Sequence, residues 1–185
     1  MEELTAVGAT VVVAILAGLV AYLSNLRLAR KTAQLERLNA QLEQLYGPLY
    51  AYSQSTAIAW KAFRDVYRPT GPYFSPDRPP TDLELKAWFT WTESVFHPAN
   101  VKSAEIIRTH AHLLEGDSMP SEMLEFLAHV SGYEAALHEW HKGDHTNVTS
   151  LINYPPTYQE HVEATFQLLK RRQRDLLDED LPTRP

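Results

Sequence analysis

Residues 4–26 carry no charged side chain, an uninterrupted run of 23. Nothing else in the chain restricts its folding so strongly. As an α-helix the run spans roughly 34 Å at about 1.5 Å per residue, against a bilayer hydrocarbon core of about 30 Å. Its centre, Val11 to Val20, holds no strongly polar side chain, and Tyr22 stands near the end, where an interfacial aromatic belongs. A secretory signal peptide opens with basic residues and a shorter apolar stretch, whereas this sequence opens Met-Glu-Glu. Few soluble helices are apolar all round for this length. Residues 1–26 therefore read as an uncleaved single-pass transmembrane anchor, with the lipid bilayer as its partner.

The flanks orient that anchor. Arg27, Arg30, Lys31 and Arg37 follow the run closely, and no Lys or Arg precedes it. Basic residues beside a span mark the cytoplasmic side. The expectation is a short N-terminus outside and the remaining chain in the cytoplasm. Asn147-Val-Thr149 has the form of a glycosylation acceptor, yet a cytoplasmic domain never meets the transferase. Ala6, Thr10, Ala14 and Gly18 recur every four residues. Small residues at that spacing let two helices approach closely in lipid, one route to a homodimer.

Helical periodicity continues beyond the anchor. Leu28, Leu35, Leu42 and Leu49 stand seven apart, with Leu38 and Leu45 between them and Lys31 spoiling one position. Residues 27–47 read as a juxtamembrane stalk. Two readings compete: a parallel coiled coil between two chains, or one stripe of an intramolecular bundle. A stalk whose far end joins the bundle combines them. Gly47-Pro48 predicts a kink or restart, because proline removes a helical hydrogen bond and crowds the preceding turn.

Residues 48–178 read as an antiparallel helical bundle and 179–185 as a tail, so the fold class is all-α. Leu49, Tyr52, Thr56, Trp60, Phe63 and Tyr67 share one face. Residues 69–80 hold five prolines and mark a long loop, whose Tyr73 and Phe74 favour its lying down on the bundle. Thr81-Asp-Leu-Glu84 is a capping-box pattern opening a helix with Leu85, Trp88, Phe89, Thr92, Val95 and Phe96 inward. Pro98 is expected to start another helix, and Pro120 a third that buries Met123, Phe126, Val130, Tyr133, Leu137 and Trp140. A last helix presents Tyr158, Val162, Phe166, Leu169 and Leu176. The residues expected to be mostly buried are Trp60, Trp88, Phe89, Phe126, Tyr133 and Leu137. No sustained period-two alternation indicates a strand.

Composition excludes several functions. The absence of cysteine removes disulfides, thiolate metal sites and Cys nucleophiles. The net charge of −6 speaks against a nucleic-acid partner, and the Lys170–Arg174 cluster is followed at once by acidic residues. The sharpest chemical constellation is Glu134, His138 and His141, which share one strip of a helix and are suitable metal ligands. A di-iron bundle site needs Glu-x-x-His pairs, and the chain has none. The plain alternative is a solvated flank with Glu134 and His138 paired across one turn. His110 falls on an apolar face, as a core histidine would. Arg108 and His112 are too closely spaced for the HEPN-type ribonuclease motif. There is no P-loop, no Gly-x-Ser-x-Gly and no His-Glu-x-x-His. The sequence implies no cofactor.

Leu42-Glu-Gln-Leu-Tyr-Gly-Pro-Leu-Tyr50, Ala59-Trp-Lys-Ala-Phe63 and Ile152-Asn-Tyr-Pro-Pro156 resemble segments of uncharacterised bacterial proteins with one N-terminal anchor and a Leu-Tyr-Gly-Pro motif. The resemblance implies a bacterial host and its inner membrane, and brings no activity with it. The leading expectation is a non-catalytic interaction or scaffold module with a cytoplasmic protein partner. The alternatives are a membrane-tethered metal-dependent enzyme using Glu134, His138 and His141, or an accessory subunit of a larger membrane complex.

Overall fold

A computed structural model describes the backbone of residues 2–178 and the side chains from Ile15 onward. The regular structure is helical, with no strand among the described residues. In chain order it comprises α1 (Glu2–Ala40), a π-helical turn (Gln41–Tyr46), α2 (Gly47–Tyr67), α3 (Asp82–Trp91), a second π-turn (Thr92–Phe96), α4 (His97–Thr109), a short 3-10 turn (Ala111–Leu113), α5 (Ser121–His141) and α6 (Pro156–Asp178). The chain divides into two compact units. One contains α1 as far as Asn39 and the end of α6 from Arg172; the other is Ala40–Arg171.

In the first unit, Ile15, Leu16, Leu19, Val20 and Leu23 lie exposed along α1. Among the described residues no helix is long and apolar enough to cross a membrane. The side chains of residues 4–14, the first part of the charge-free run, lie outside the described residues, as do those of Ala6, Thr10 and Ala14. The tail 179–185 lies outside them too. Gln173 Nε2 donates to Asn39 Oδ1 at 2.6 Å. Leu28 is exposed and Leu35 half-buried, while Leu42, Leu45 and Leu49 belong to the core of the second unit.

The second unit is a bundle of antiparallel helices. New α-helices begin at Gly47-Pro48 and at Pro98 as expected, and each is joined to the preceding helix by a turn of π-helix. The residue before each proline donates its N–H five residues back, Gly47 to Leu42 and His97 to Thr92. Proline supplies no N–H and collides with the carbonyl four residues earlier. One inserted residue widens the turn so that the helix passes through that defect. Gly47 is needed there, since a Cβ would sit 2.3 Å from the Leu42 carbonyl oxygen. The second insertion also rotates the inward face: Thr92 and Phe96 are buried, but Val95, expected inward, is exposed.

The proline-rich loop lies on the bundle, with Tyr73 only 4% exposed. Arg68, fully buried, donates to the carbonyls of Tyr73 and Arg78. The Tyr73 hydroxyl donates to Glu84 O at 2.6 Å. The capping box forms, with Thr81 N–H donating to Glu84 Oε2 at 2.7 Å and Glu84 N–H to Thr81 Oγ1 at 3.3 Å. On the other side α5 and α6 meet through stacked rings of Phe126 and Tyr158, 3.9 Å apart. Tyr50 stacks on Phe166 at 4.5 Å. Trp88, Phe126 and Leu137 are buried as expected. Trp60, Phe89 and Tyr133 are half-buried, and for Trp60 and Tyr133 the reason is a cavity.

Candidate functional site: an aromatic cavity

The second unit holds a cavity of about 540 Å³ that is half open to solvent. Ligand sites typically occupy about 300–1,000 Å³, so this is a full-sized one. Helix α2 contributes Ser53, Ala57 and Trp60; α3 and the second π-turn contribute Trp88, Thr92 and Phe96. His97 and Asn100 come from α4, His129 and Tyr133 from α5, and Tyr73 and Tyr154 from the two long connections. The π-turn is thus a structural part of the wall. It carries Thr92 and Phe96 inward and sets His97 immediately after them.

The wall is mostly ring. Trp60 lies edge-on to Trp88 at 6.1 Å and to Phe96 at 5.7 Å between centroids. These rings belong to one buried cluster with Phe63 and Tyr73. The loop after α5 is held over it by the two indoles: Trp88 Nε1 donates to Val148 O and Trp140 Nε1 to Asn147 O, each at 2.7 Å. Gly132 lets that loop approach, since a Cβ there would meet Ser150 Oγ at 2.3 Å.

Against this apolar background stand a few polar atoms. Ser53 Oγ, Thr92 Oγ1 and His97 Nδ1 belong to lining residues, yet these atoms have almost no accessible surface and no hydrogen-bond partner among the described residues, as is true of Arg68 Nε and His161 Nε2 away from the cavity. Leaving such groups unmatched costs about 1–3 kcal/mol each, so native folds seldom retain them without cause. Burial pushes the His97 imidazole below its ordinary value of 6.5, with the Glu134 carboxylate opposing the shift. Burial likewise lowers His129, which lies near His97. Its Nδ1 is 2.8 Å from Ile152 O. A carbonyl only accepts, so Nδ1 carries the proton and Nε2 is the acceptor of the neutral ring. Burial also pushes the phenols of Tyr133 and Tyr154 up to about 12. No Asp, Glu, Lys or Arg lines the cavity among the described residues. At neutral pH its wall bears no formal charge.

The metal-ligand candidates are placed differently. Glu134, His138 and His141 all lie exposed on α5. His141 Nε2 is 3.6 Å from Glu93 Oε1, and Glu134 acts electrostatically on His97. No three His, Asp or Glu side chains among the described residues are gathered so as to hold a metal ion. His110, expected in the core, is half-buried at the C-terminal cap of α4, 6.2 Å from His112. Arg27, Arg30 and Arg37 are exposed on α1 and Lys31 is half-buried.

Sequence reasoning placed Thr56, Trp60, Trp88, Thr92, Phe96 and Tyr133 on inward faces but passed over Ser53, His97 and His129. A signal for His129 was present: it lies between Phe126, Val130 and Tyr133 in the apolar stripe of α5. No protein-family model matches the chain, and no curated protein or solved structure shows detectable similarity to it.

Proposed function

We propose that this chain is a membrane-anchored, non-catalytic interaction module whose recognition site is the aromatic cavity of residues 40–171. The cavity carries the proposal: it is a ligand-sized space, half open to solvent, whose wall sets the neutral polar side chains of Asn100 and Gln159 among aromatic rings. The arrangement argues against catalysis. A nucleophilic hydroxyl needs a base within hydrogen-bond reach, and neither Ser53 Oγ nor Thr92 Oγ1 has such a partner among the described residues.

The membrane part of the proposal rests on the charge-free run 4–26 within the 39-residue helix α1 and on the apolar side chains exposed from Ile15 to Leu23. The basic residues Arg27, Arg30, Lys31 and Arg37 favour a cytoplasmic domain at a bacterial inner membrane. Leu28 and Leu35 are the positions at which two such chains would pair.

The test is a thermal-shift screen of a mixed fragment library on the full chain in lipid nanodiscs, run beside the cavity-filling variant Ala57→Phe. Saturable stabilisation lost in the variant supports the proposal. A screen in which no fragment of any charge distinguishes the two proteins refutes it.

A further inference from the structure

We infer that one side of α1, just beyond the charge-free run, binds the anionic headgroups of the leaflet in which the helix is anchored and tilts the helix toward them. The inference rests on the anchor reading and adds to it a partner and a face.

Three observations carry it. The first is one-sidedness. Helix α1 runs unbroken from Glu2 to Ala40, so successive residues turn by about 100° and rise by about 1.5 Å. On that wheel Arg27, Arg30, Lys31 and Arg37 fall within an arc of about 120°, with Gln34 at its centre. Glu36, the one acidic residue between Arg27 and Ala40, lies about 160° from Gln34. The second is exposure. Arg27, Arg30, Gln34 and Arg37 are exposed and Lys31 is half-buried. The end of α6 packs on another side: Gln173 Nε2 reaches Asn39 Oδ1, and Asn39 lies about 140° from Gln34. The third is depth. Arg27 follows the run at once, and Arg30 and Lys31 stand about 5–6 Å further along the axis. That is within the Debye length of about 8 Å at physiological salt. There each basic residue favours an anionic leaflet about fivefold. Arg37 is about 15 Å from Arg27 along the axis and nears the surface only when the helix leans to that side. The charges that bind the leaflet therefore also set the direction of tilt.

The chain has no cysteine, so single spin labels can report depth in the full chain in nanodiscs. One goes on Gln34→Cys, at the centre of the basic side, and one on Thr32→Cys, exposed about 160° away. A third, Leu16→Cys, lies inside the charge-free run. Depth is read from collisions with oxygen and with a nickel chelate. Replacing phosphatidylcholine by an equimolar mixture with phosphatidylglycerol is expected to bring Gln34 nearer the headgroups, relative to Thr32, by about 4 Å. That is the displacement of a tilt of about 20° across a helix about 11 Å wide. The shift should vanish in molar salt, where the Debye length falls to about 3 Å. It should vanish in Arg27→Gln/Arg30→Gln/Lys31→Gln and survive Glu36→Gln. Labels that keep their depths in the anionic lipid overturn the inference, and so does a shift that survives loss of the three basic residues. A shift produced by inorganic phosphate in phosphatidylcholine discs also overturns it, because the surface then binds a free anion. With the Leu16 label in hydrocarbon, each of these results leaves the anchor standing. A Leu16 label in water removes the anchor and the inference together.

Discussion

Thr92 offers a direct measurement of what an unmatched buried hydroxyl costs this fold. Its hydroxyl is buried on the π-turn, the residue is 2% exposed, and Oγ1 has no hydrogen-bond partner among the described residues. Thr92→Val exchanges that hydroxyl for a methyl group of nearly the same shape beside Trp88 and Phe96. Removing an unmatched buried hydroxyl recovers up to about 1–3 kcal/mol. The oxygen has almost no accessible surface, so water in the cavity does not hydrate it, and a gain of at least about 1 kcal/mol is expected. For a chain of this size that raises Tm by roughly 2–4 °C. Near-ultraviolet circular dichroism of the tryptophans, followed on heating the full chain in detergent, reads it. A loss of about 1 kcal/mol on Thr92→Val would show that the fold itself satisfies the hydroxyl and would refute this reasoning.

Arg68→Ala removes a fully buried guanidinium that donates to the Tyr73 and Arg78 carbonyls; a loss of about 3 kcal/mol in denaturant unfolding is expected, with proteolysis in loop 69–80 before any other site. His97 and His129 are held below 6.5 in the fold, so the unfolded chain binds more protons below that value and stability falls as pH drops through it; Tm measured from pH ~7 to ~5 should decline, less steeply in His129→Gln. Glu84 and Glu122 are held below 4.5 and add their loss only at lower pH, which separates the two windows. Leu28→Ser with Leu35→Ser should abolish cross-linking between chains in intact membranes with the fold retained, whereas Leu42→Ser with Leu45→Ser should unfold the domain; cross-linking that survives the first pair removes the stalk dimer. A reporter fused after Pro185 should be active only in its cytoplasmic form, and periplasmic activity would reverse the orientation drawn from Arg27, Arg30, Lys31 and Arg37.

What the sequence revealed of the fold, and what it concealed, follows one physical division. Stripes at three- and four-residue spacing located the buried faces of α5 and α6, where nothing disturbs the 3.6-residue period: Met123, Phe126, Val130, Leu137 and Trp140 are all buried, as are Tyr158, Val162 and Leu169. The same arithmetic failed at Val95, because an inserted residue shifts every later position by about 100° around the helix axis. Pro48 and Pro98 were visible, but propensity alone says that proline ends a helix, not that a wider turn can absorb it. The Leu28–Leu49 seam reads as uniform, yet the fold divides it: Leu28 is exposed, and Leu42, Leu45 and Leu49 are core.

The candidate site lay partly hidden for a different reason. Its polar atoms come from α2, the π-turn, α4 and α5, and only tertiary packing converges Ser53, Thr92, His97 and His129. Glu134, His138 and His141 drew attention because helix spacing makes them adjacent, which is a local fact, and they point to solvent. Each proline therefore has a consequence beyond the defect it causes. With the extra residue between Thr92 and Phe96, both stay buried as regular spacing predicts, while Val95, which the same spacing turns inward, is carried out to solvent.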